Sequence, residues 1–266
     1  MNFKNQVGLI IAKSNEAVEE FGGVGVDTKH ITYSVNNEIF YPMSQDSKEL
    51  LDFQKKWNIP KDRYLIGNFH RDSEGQNVKN PKVQKGPEVF YEMVKRIHKF
   101  NPSVHIVLAG PRRHWLKENL TKSGIPWTYI GEELADDDNH VNILPREVLN
   151  LLYNTIDLYL ISSRWEGGPH SVIEAAAARC KVISTRVGVA MDILEPIGIF
   201  DTLKDGIVLV QNDIDRGVLN QTVELQYQRF LNNHTIDEVG KEISIEYGEY
   251  NIVSVFTEET GCYFKK

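Results

Sequence analysis

Short apolar runs alternate with amphipathic stretches along this chain, and the two patterns predict strands and helices respectively. The clearest amphipathic stretch is 87–100, where Phe90, Val94 and Ile97 recur at helical spacing beneath charged residues on the other face. We predict strands over 7–12, 31–35, 64–69, 104–109, 127–130, 158–161, 181–184 and 207–210. We predict helices over 87–100, 113–123, 146–154, 171–178, 214–231 and 252–264, with a shorter one near 16–21.

The order of these elements predicts an α/β fold with a doubly wound parallel sheet, because helical stretches flank the strand runs on both sides. Such sheets bind ligands in the crevice at the carboxyl ends of their strands. The turns that matter are therefore those that follow the predicted strands, and each of them holds glycine, proline or polar residues. We expect the functional site among these turns.

The first 60 residues follow a different pattern. They contain two predicted strands, a short helix and then NNEIFYP, residues 36–42, which has the composition of a linker. This part is too short for a complete domain, so it either packs onto the domain that follows or is the remnant of a missing one. We divide the chain into residues 1–42 and residues 43–266.

Net charge argues against a nucleic-acid-binding protein, because the chain carries −7 at neutral pH. The charge is uneven, however: residues 61–123 hold 13 Lys and Arg against six Asp and Glu, and residues 191–266 hold six against 14. A basic segment inside an acidic protein suits an anionic ligand such as a phosphate. It equally suits a solvated surface, and charge alone leaves both interpretations open.

Cysteine content excludes the disulfide-stabilised class of small proteins. Cys180 and Cys262 are too few for such a framework and lack the spacing of a metal site. The apolar run near the start of the chain is shorter than a signal-peptide core or a membrane span. We expect a cytoplasmic protein, either free or peripheral to the membrane.

The stretch RWEGGPHSVIE, residues 164–174, joins a predicted strand to a predicted helix. Gly167 and Gly168 allow the backbone to turn sharply and to approach a ligand, and the free amides at the start of the helix form a seat for phosphate. Glu166 and Glu174 then reach the same crevice, where a carboxylate can accept hydrogen bonds from vicinal hydroxyls. The alternative is a loop charge and a solvated helix residue, and spacing alone leaves it open.

This stretch and its continuation, EAAAARCKVISTRVGVAMDIL, resemble the donor-site signature of retaining glycosyltransferase family 4 and its relatives in the GT-B fold. Further pieces follow in that family's order: AKSNEAVEEF, ITYSVNNEIFYP, IGNFHRD, KVQKGPEVF, VHIVLAGPRRHW, YIGE and LPREVLNLLYNTIDLYLISS. The resemblance runs from about Val7 to Phe264. It implies a Rossmann-like donor-binding domain behind a short N-terminal remnant of the acceptor domain, with the closing helix 252–264 crossing back onto the acceptor domain.

The resemblance also implies roles for individual residues. Glu166 would meet hydroxyls of the transferred sugar, and Glu174 would bind the ribose of the nucleotide. Arg71 and Lys85 would neutralise the diphosphate as it leaves. The remaining donor-binding residues implied are Gly168, His170, Ser171 and Val172, whose amides would cradle the sugar and diphosphate, Tyr129, Ile130 and Leu144 near the base, and Arg112 at the rim.

The sequence departs from the family's pattern in several places. Asn68 stands where the family often has an arginine, so we assign that role to Arg71, three residues later; Lys79 and Lys82 could substitute for either Arg71 or Lys85. EGGP stands where many relatives read EGFG, and only about forty residues precede the linker, where relatives carry a whole acceptor domain. The acidic run Asp136 to Asp138 reads as a solvated loop, and we assign no metal.

The sequence therefore predicts a retaining glycosyltransferase with no cofactor, in which the donor half uses a nucleotide-diphosphate sugar, a UDP-sugar by expectation. The acceptor is a hydroxyl on a glycan, a lipid or a small molecule, and the leaving phosphate helps to deprotonate it. A partner chain or a second copy would cover residues 1–40. The alternatives are a non-catalytic nucleotide-sugar-binding module that needs a partner acceptor domain, and a non-transferase on the same fold, such as a sugar epimerase.

Overall fold

The computed structural model describes residues 10–23, 25, 27–75, 77–247, 255–257 and 260–263. The strands are β1 (Ile10–Ala12), β2 (Thr28–His30), β3 (Tyr64–Asn68), β4 (Val104–Ala109), β5 (Trp127–Ile130), β6 (Leu158–Ile161), β7 (Val182–Thr185), β8 (Ile199–Phe200), β9 (Val255–Thr257) and β10 (Thr260–Tyr263). The helices are α1 (Asn15–Gly22), α2 (Lys48–Lys56), α3 (Pro87–Phe100), α4 (His114–Lys122), α5 (Arg146–Thr155), α6 (His170–Ala177), α7 (Ala190–Ile193), α8 (Leu203–Arg216), α9 (Asn220–Asn233) and α10 (Ile236–Tyr247).

Strands β3 to β8 form one parallel sheet with the spatial order β5-β4-β3-β6-β7-β8. The chain runs outward from β3 to β5 on one side and then from β6 to β8 on the other. The strand order therefore reverses between β3 and β6, where Ile66 pairs with Leu158 and Gly67 with Tyr159. In a doubly wound sheet, the carboxyl ends at such a switch point form the ligand crevice.

Both faces of the sheet are covered by helices. Successive side chains of each strand point to opposite faces, so each strand contributes to a core on either side. In β4, Ile106 and Leu108 join the core beneath α3, α4 and α8, whereas Val107 and Ala109 join the core beneath α5, α6 and α9. All four side chains are fully buried. This two-sided burial explains why the strands read as continuous apolar runs.

The N-terminal part packs onto the sheet domain. Strands β1 and β2 pair in parallel, and α1 between them begins at Ser14, whose hydroxyl accepts the amide of Ala17. Asn15 Nδ2 donates to Asp192 Oδ1 at 2.8 Å, which ties α1 to α7. The predicted linker 36–42 is held as well, since Asn154 Nδ2 donates to the carbonyl of Tyr41 at 3.0 Å. The division of the chain at residue 42 remains a prediction.

Three of the elements predicted between residues 10 and 247 are wrong. The predicted strand 207–210 lies within α8, where Ile207 and Val210 are three residues apart and both face the core beneath α3. The predicted helix 214–231 is interrupted at Gly217, whose φ of 63° ends α8 before α9 begins. The predicted strand 31–35 lies three residues too late, since β2 is Thr28–His30. Helices α2, α7 and α10 and strand β8 were not predicted.

The predicted closing helix 252–264 falls partly outside the described residues. Where the backbone is described, it forms the antiparallel pair of β9 and β10, so the helical prediction is wrong there. Val255, Phe256 and Thr257 favour extended backbone, and Gly261 weakens a helix. Residues 7–9 of the predicted first strand also lie outside the described part. None of the helices seen in the described part has the length and apolar character needed to cross a bilayer.

Candidate functional site

An ion pair joins two predicted site residues that lie 81 positions apart in the chain. Lys85 Nζ is 2.6 Å from Glu166 Oε2, just beyond the carboxyl ends of β3 and β6. The Glu166 side chain is only 7% exposed and that of Lys85 is 22% exposed. The switch point of the sheet therefore carries a nearly buried pair of opposite charges.

The Lys85–Gly86 turn is braced by the end of strand β6. Gly86 adopts a left-handed conformation with φ of 55°, and a Cβ at this position would overlap the carbonyl oxygen of Ser162. The Ser162 hydroxyl donates to the carbonyl of Gly86 at 2.9 Å. The glycine allows this close approach, and the approach brings Lys85 to Glu166.

Glu166 is held in its ionised form. Burial alone would raise the pKa of its carboxyl, but the Lys85 ammonium, through its charge and its hydrogen bond, and the Ser163 hydroxyl together keep that pKa below its usual range. Both carboxylate oxygens have donors, because Ser163 donates to Oε1 and Lys85 to Oε2. The carboxylate is thus fixed in position and charge.

His70 lies beside this pair and was not predicted as a site residue. Its Nε2 hydrogen-bonds the Ser171 hydroxyl at 2.8 Å, and its buried Nδ1 lies 4.0 Å from Glu166 Oε1 with no hydrogen-bond partner in the described chain. Burial lowers the pKa of His70 to about 3, so the ring is neutral at physiological pH. No local pattern pointed to His70, because its partner Ser171 is 101 residues away in the chain.

The first turn of α6 follows residues 164–169, which we call the glutamate loop. Ser171 faces His70, and the His170 ring packs against Tyr33 with centroids 4.2 Å apart. Gly168 lies under the same tyrosine, since a Cβ at this position would overlap the Tyr33 ring. The amide of Val172 donates to the Pro169 carbonyl at 3.0 Å, so in this structure it is already occupied, unlike the prediction that it cradles a ligand.

Glu174 lies one turn further along α6 and is not the solvated helix residue of the alternative interpretation. The Tyr153 hydroxyl donates to its Oε2 at 2.9 Å. Burial raises the pKa of the Glu174 carboxyl, and the Tyr153 hydrogen bond and Arg146 offset part of that rise. Phe69 and Tyr159 pack around the Tyr153 ring, which fixes the hydroxyl beneath the carboxylate.

Arg71 makes its contact away from the ion pair. Its Nη1 donates to Asn139 Oδ1 at 3.2 Å on the surface. Asn68, which follows the strand glycine, is buried and links β3 to β6 and to Arg113. Its Nδ2 donates to the Leu160 carbonyl at 2.9 Å, and Arg113 Nη2 donates to its Oδ1 at 2.7 Å. The structure therefore places a fully buried guanidinium, Arg113, beneath the site, and the sequence did not predict it.

Lys82 connects the basic residues around the site. Burial lowers the pKa of its ammonium, and the charges of Arg71, Lys85 and Arg112 lower it further while Glu74 opposes them. Four cations thus share one field at the strand ends, and we call Arg71, Lys82, Lys85 and Arg112 the basic cluster. Lys82, which the sequence analysis named only as a possible substitute for Arg71 or Lys85, therefore lies close to both of them.

Most of the residues predicted to lie near the nucleotide base use their side chains for packing within the protein. Tyr129 donates its hydroxyl to the Gly110 carbonyl at 2.9 Å, and Lys117 Nζ lies 4.2 Å from the centre of its ring. Ile130 is fully buried and Leu144 packs half-buried against the core. The Tyr129 and Ile130 side chains therefore face the interior, and a ligand at this turn would meet the backbone of these two residues.

The acidic run is not uniformly a solvated loop. Asp138 is 1% exposed and accepts the Arg112 amide at 2.7 Å and Asn142 Nδ2 at 2.6 Å. Asp137 is exposed and binds the Arg112 guanidinium through both oxygens at 2.8 and 2.6 Å. The run therefore fixes Arg112 at the rim through its amide and its side chain. Arg112 has a φ of 56°, and the backbone there is held by these contacts.

Taken together, the strand ends at the switch point carry Lys82 and Lys85 of the basic cluster, two carboxylates and the start of a helix, with Arg71 and Arg112 at the edge. Cations and a helix N-terminus stabilise a phosphate, and fixed carboxylates accept hydrogen bonds from hydroxyls. The arrangement can therefore hold a molecule with a phosphate portion and a hydroxylated portion. Three of the four residues on which the prediction rests, Lys85, Glu166 and Glu174, contribute to this crevice directly.

Comparison with known families gives one sequence match. The profile of the family described as "Glycosyl transferases group 1" matches residues 52–218, which is well over half of the chain and includes the whole crevice described above. No curated protein sequence matches the chain.

Solved structures share the fold at low sequence identity. Sucrose-phosphate synthase from Thermosynechococcus elongatus is 15% identical with a TM-score of 0.70 over 91% of this chain and 58% of that one. HepE from Anabaena, solved in complex with UDP and glucose, is 14% identical with a TM-score of 0.71 over 91% and 63%. The C-terminal domain of the group 1 glycosyl transferase LpcC from Francisella tularensis is 21% identical with a TM-score of 0.55, over 76% of this chain and all of that one.

These likenesses confirm the predicted α/β, Rossmann-like GT-B fold. The chain spans 58% and 63% of the length of the first two of these proteins.

Proposed function

The chain belongs to the glycosyl transferases group 1 family, and from this premise we propose that it transfers a sugar from a nucleotide-diphosphate sugar to a hydroxyl acceptor with retention at the anomeric carbon. The Lys85–Glu166 pair at the switch point is the observation that carries the proposal. It sets a cation for the diphosphate next to a carboxylate for the sugar, in the crevice where this fold binds ligands.

The diphosphate end is supported by the basic cluster and by the first turn of α6. As the bond between the anomeric carbon and the phosphate oxygen breaks, negative charge grows on the diphosphate, and Lys85 and Lys82 stabilise it. The pair with Glu166 keeps Lys85 in place before the donor arrives. Because this stabilisation grows in the transition state, Lys85 acts on rate as well as on binding.

Glu166 and Glu174 serve the two hydroxylated parts of the donor. Glu174, held by Tyr153, accepts the ribose hydroxyls, and Glu166 accepts hydroxyls of the transferred sugar. HepE is solved with UDP and glucose, which favours a uridine nucleotide as the first donor to test here. The backbone of the turn after β5 would meet the base, because the side chains there face the core.

Retention is proposed to proceed on one face of the sugar. Both oxygens of Glu166 already accept hydrogen bonds from Ser163 and Lys85, so this carboxylate is poorly suited to act as a covalent nucleophile. In the proposed step, the anomeric carbon–phosphate bond breaks while a bond forms from the acceptor oxygen on the same face. The acceptor proton passes to the leaving phosphate oxygen.

Calorimetric titration with UDP-, GDP- and ADP-sugars, followed by measurement of donor hydrolysis and transfer, tests the proposal. Glu166→Ala and Lys85→Ala should each reduce turnover about 100-fold or more, the usual loss for one transition-state contact. Glu118→Ala is the matched control, because the exposed Lys122–Glu118 pair has the same 2.6 Å separation. Proton NMR of the first product reports the anomeric configuration.

The outcomes separate the candidate functions. Transfer with inversion would refute retention, while tight donor binding with no turnover and no effect of Glu166→Ala would indicate a binding module. Failure of all three nucleotide sugars to bind would refute the proposal as a whole.

A further inference from the structure

A cavity of about 280 Å³ lies between α1 and residues 164–167. Its walls include Glu16, Glu20, Trp165 and Arg186, and Glu166 forms part of its floor. The volume falls just below the range of about 300–1,000 Å³ typical of drug-sized ligands, so the cavity suits a single small ring. Glu166 thus borders both this cavity and the crevice of the basic cluster.

The α1 wall of the cavity is fixed to the sheet domain. Glu16 Oε2 accepts the amide of Gly188 at 3.0 Å, and the neighbouring residue Asn15 is bound to Asp192. Gly188 adopts a left-handed conformation, and a Cβ there would come within 2.6 Å of the Glu166 carbonyl. The two walls therefore meet through close backbone contact, and the cavity between them has a defined shape.

Trp165 is the most distinctive group in this cavity. Its side chain is large and apolar, yet it is 56% exposed, directly beside the buried carboxylate of Glu166. An exposed indole in a polar-lined cavity offers a flat surface to an apolar ring face, with hydrogen-bonding groups around it. A pyranose ring has this combination, since its C–H groups form an apolar face and its hydroxyls point outward.

The charges around the cavity favour a neutral ligand. Three carboxylates, those of Glu16, Glu20 and Glu166, can accept hydrogen bonds from hydroxyls. Arg186 is already bound to Asp201 at 2.9 Å, and Arg164 is bound to Glu88. The guanidiniums are therefore partly neutralised, in contrast to the basic cluster, and an anionic ligand gains little here.

We propose that this cavity is the acceptor subsite and that it takes a neutral sugar ring stacked on Trp165. The inference deepens the proposed function, on which it rests: Glu166 lies between the donor crevice and this cavity, so a hydroxyl of the bound ring can point toward the anomeric carbon of the donor. Trp165 is a binding residue that sets the acceptor class as a sugar, and the ring can belong to a free saccharide or to a longer glycan.

Binding of neutral methyl pyranosides to the full chain, measured by saturation-transfer NMR, tests the inference without the donor. Methyl glucoside, galactoside and mannoside form the panel, with a uronic acid and octanol as anionic and apolar contrasts. Trp165→Ala should weaken binding of the best pyranoside about tenfold, and Trp165→Phe should keep most of it. Phe100→Ala is the matched control, because Phe100 is a 69% exposed aromatic at the end of α3.

The same variants are then titrated with the nucleotide sugar that binds best. Trp165→Ala should leave donor affinity unchanged while it raises the acceptor KM about tenfold. Absence of pyranoside binding, or binding that is equal in wild type and Trp165→Ala, overturns the inference; stronger binding of octanol or of the uronic acid overturns the acceptor class. If the wild-type protein binds none of the nucleotide sugars, the proposed function fails, regardless of the result with pyranosides.

Discussion

At the scale of single residues, the centre of the site is the Lys85–Glu166 ion pair with His70 beside it. A buried ion pair contributes little net stability, because removal of two charges from water costs about as much as their attraction returns. Its position at the strand ends therefore favours a role in ligand binding. His70 adds a neutral ring beside the pair, with one nitrogen bound to Ser171 and the other facing Glu166.

The low pKa of His70 predicts a pH-dependent stability. The unfolded chain protonates His70 below about pH 6.5, whereas the folded protein holds its pKa at about 3, so stability is present above 6.5 and is lost as pH falls toward 3. His70→Gln removes the titrating ring. The difference in the free energy of unfolding between pH 7 and pH 5 should shrink by about 2 kcal/mol in urea titrations. His140 is exposed, so His140→Gln should follow the wild-type curve; equal curves for both variants would contradict this account.

Two loops and one helix start define the site at the scale of elements. The turn before α3 delivers Lys85, and the turn before α6 delivers Glu166 and the helix amides. Both turns need glycine where another part of the chain comes close, Ser162 at Gly86 and Tyr33 at Gly168. The N-terminal segment thus shapes the start of α6, although it is far from it in sequence.

Gly168→Ala tests this contact. The added methyl overlaps the Tyr33 ring, so we expect a loss of about 1–3 kcal/mol in stability and a weaker donor affinity. Thermal unfolding and calorimetry measure the two effects. A double variant with Tyr33→Ala should recover part of the stability, because the overlap is gone.

Gly167→Ala is the control for this prediction, since no atom lies within 4 Å of a Cβ at that position. A similar loss in both glycine variants would show that loop flexibility matters here and that the Tyr33 contact does not.

At the scale of the whole molecule, the functional site and a buried network that stabilises the fold lie at opposite ends of the sheet strands. At the amino ends of the strands, opposite the site, Asp213 of α8 accepts the Tyr64 hydroxyl at 2.6 Å, Lys181 Nζ at 2.9 Å and the Leu219 amide at 2.8 Å. Its side chain is fully buried. These bonds join α8 to β3 and to the start of β7, far from the basic cluster.

Asp213→Ala should therefore destabilise the fold and spare the site. Removal of one partner from a buried charged network costs about 3–5 kcal/mol, measured as a lower Tm and urea midpoint. Donor affinity should be unchanged at a temperature where the variant is folded. Glu238→Ala, which breaks the exposed Lys241–Glu238 pair, should leave Tm and the urea midpoint nearly unchanged. A loss of donor affinity in Asp213→Ala would contradict the separation.

Local patterns were enough to predict much of this molecule. The bounds of α3 follow from a side-chain period of 3.6 residues, and those of β4, β5 and β6 follow from short apolar runs that end at turn residues. Both signals are local and need no knowledge of distant contacts. The glutamate loop was predicted because glycine and charge combine there in a short stretch, and the Lys85–Gly86 turn was predicted from the family resemblance. The strand predicted at 207–210 failed since a short apolar run fits a buried strand or one face of a helix.

The sequence by itself determined the fold class and five of the six strands of the central sheet, and its family resemblance pointed to Lys85, Glu166 and Glu174 as site residues. Tertiary structure decided the rest: that Arg71 turns to Asn139, that His70 meets Ser171, and that Tyr33 covers Gly168. The physical reason is distance along the chain. Contacts between residues about 70 to 135 positions apart depend on how the sheet and helices pack, and no local period records them.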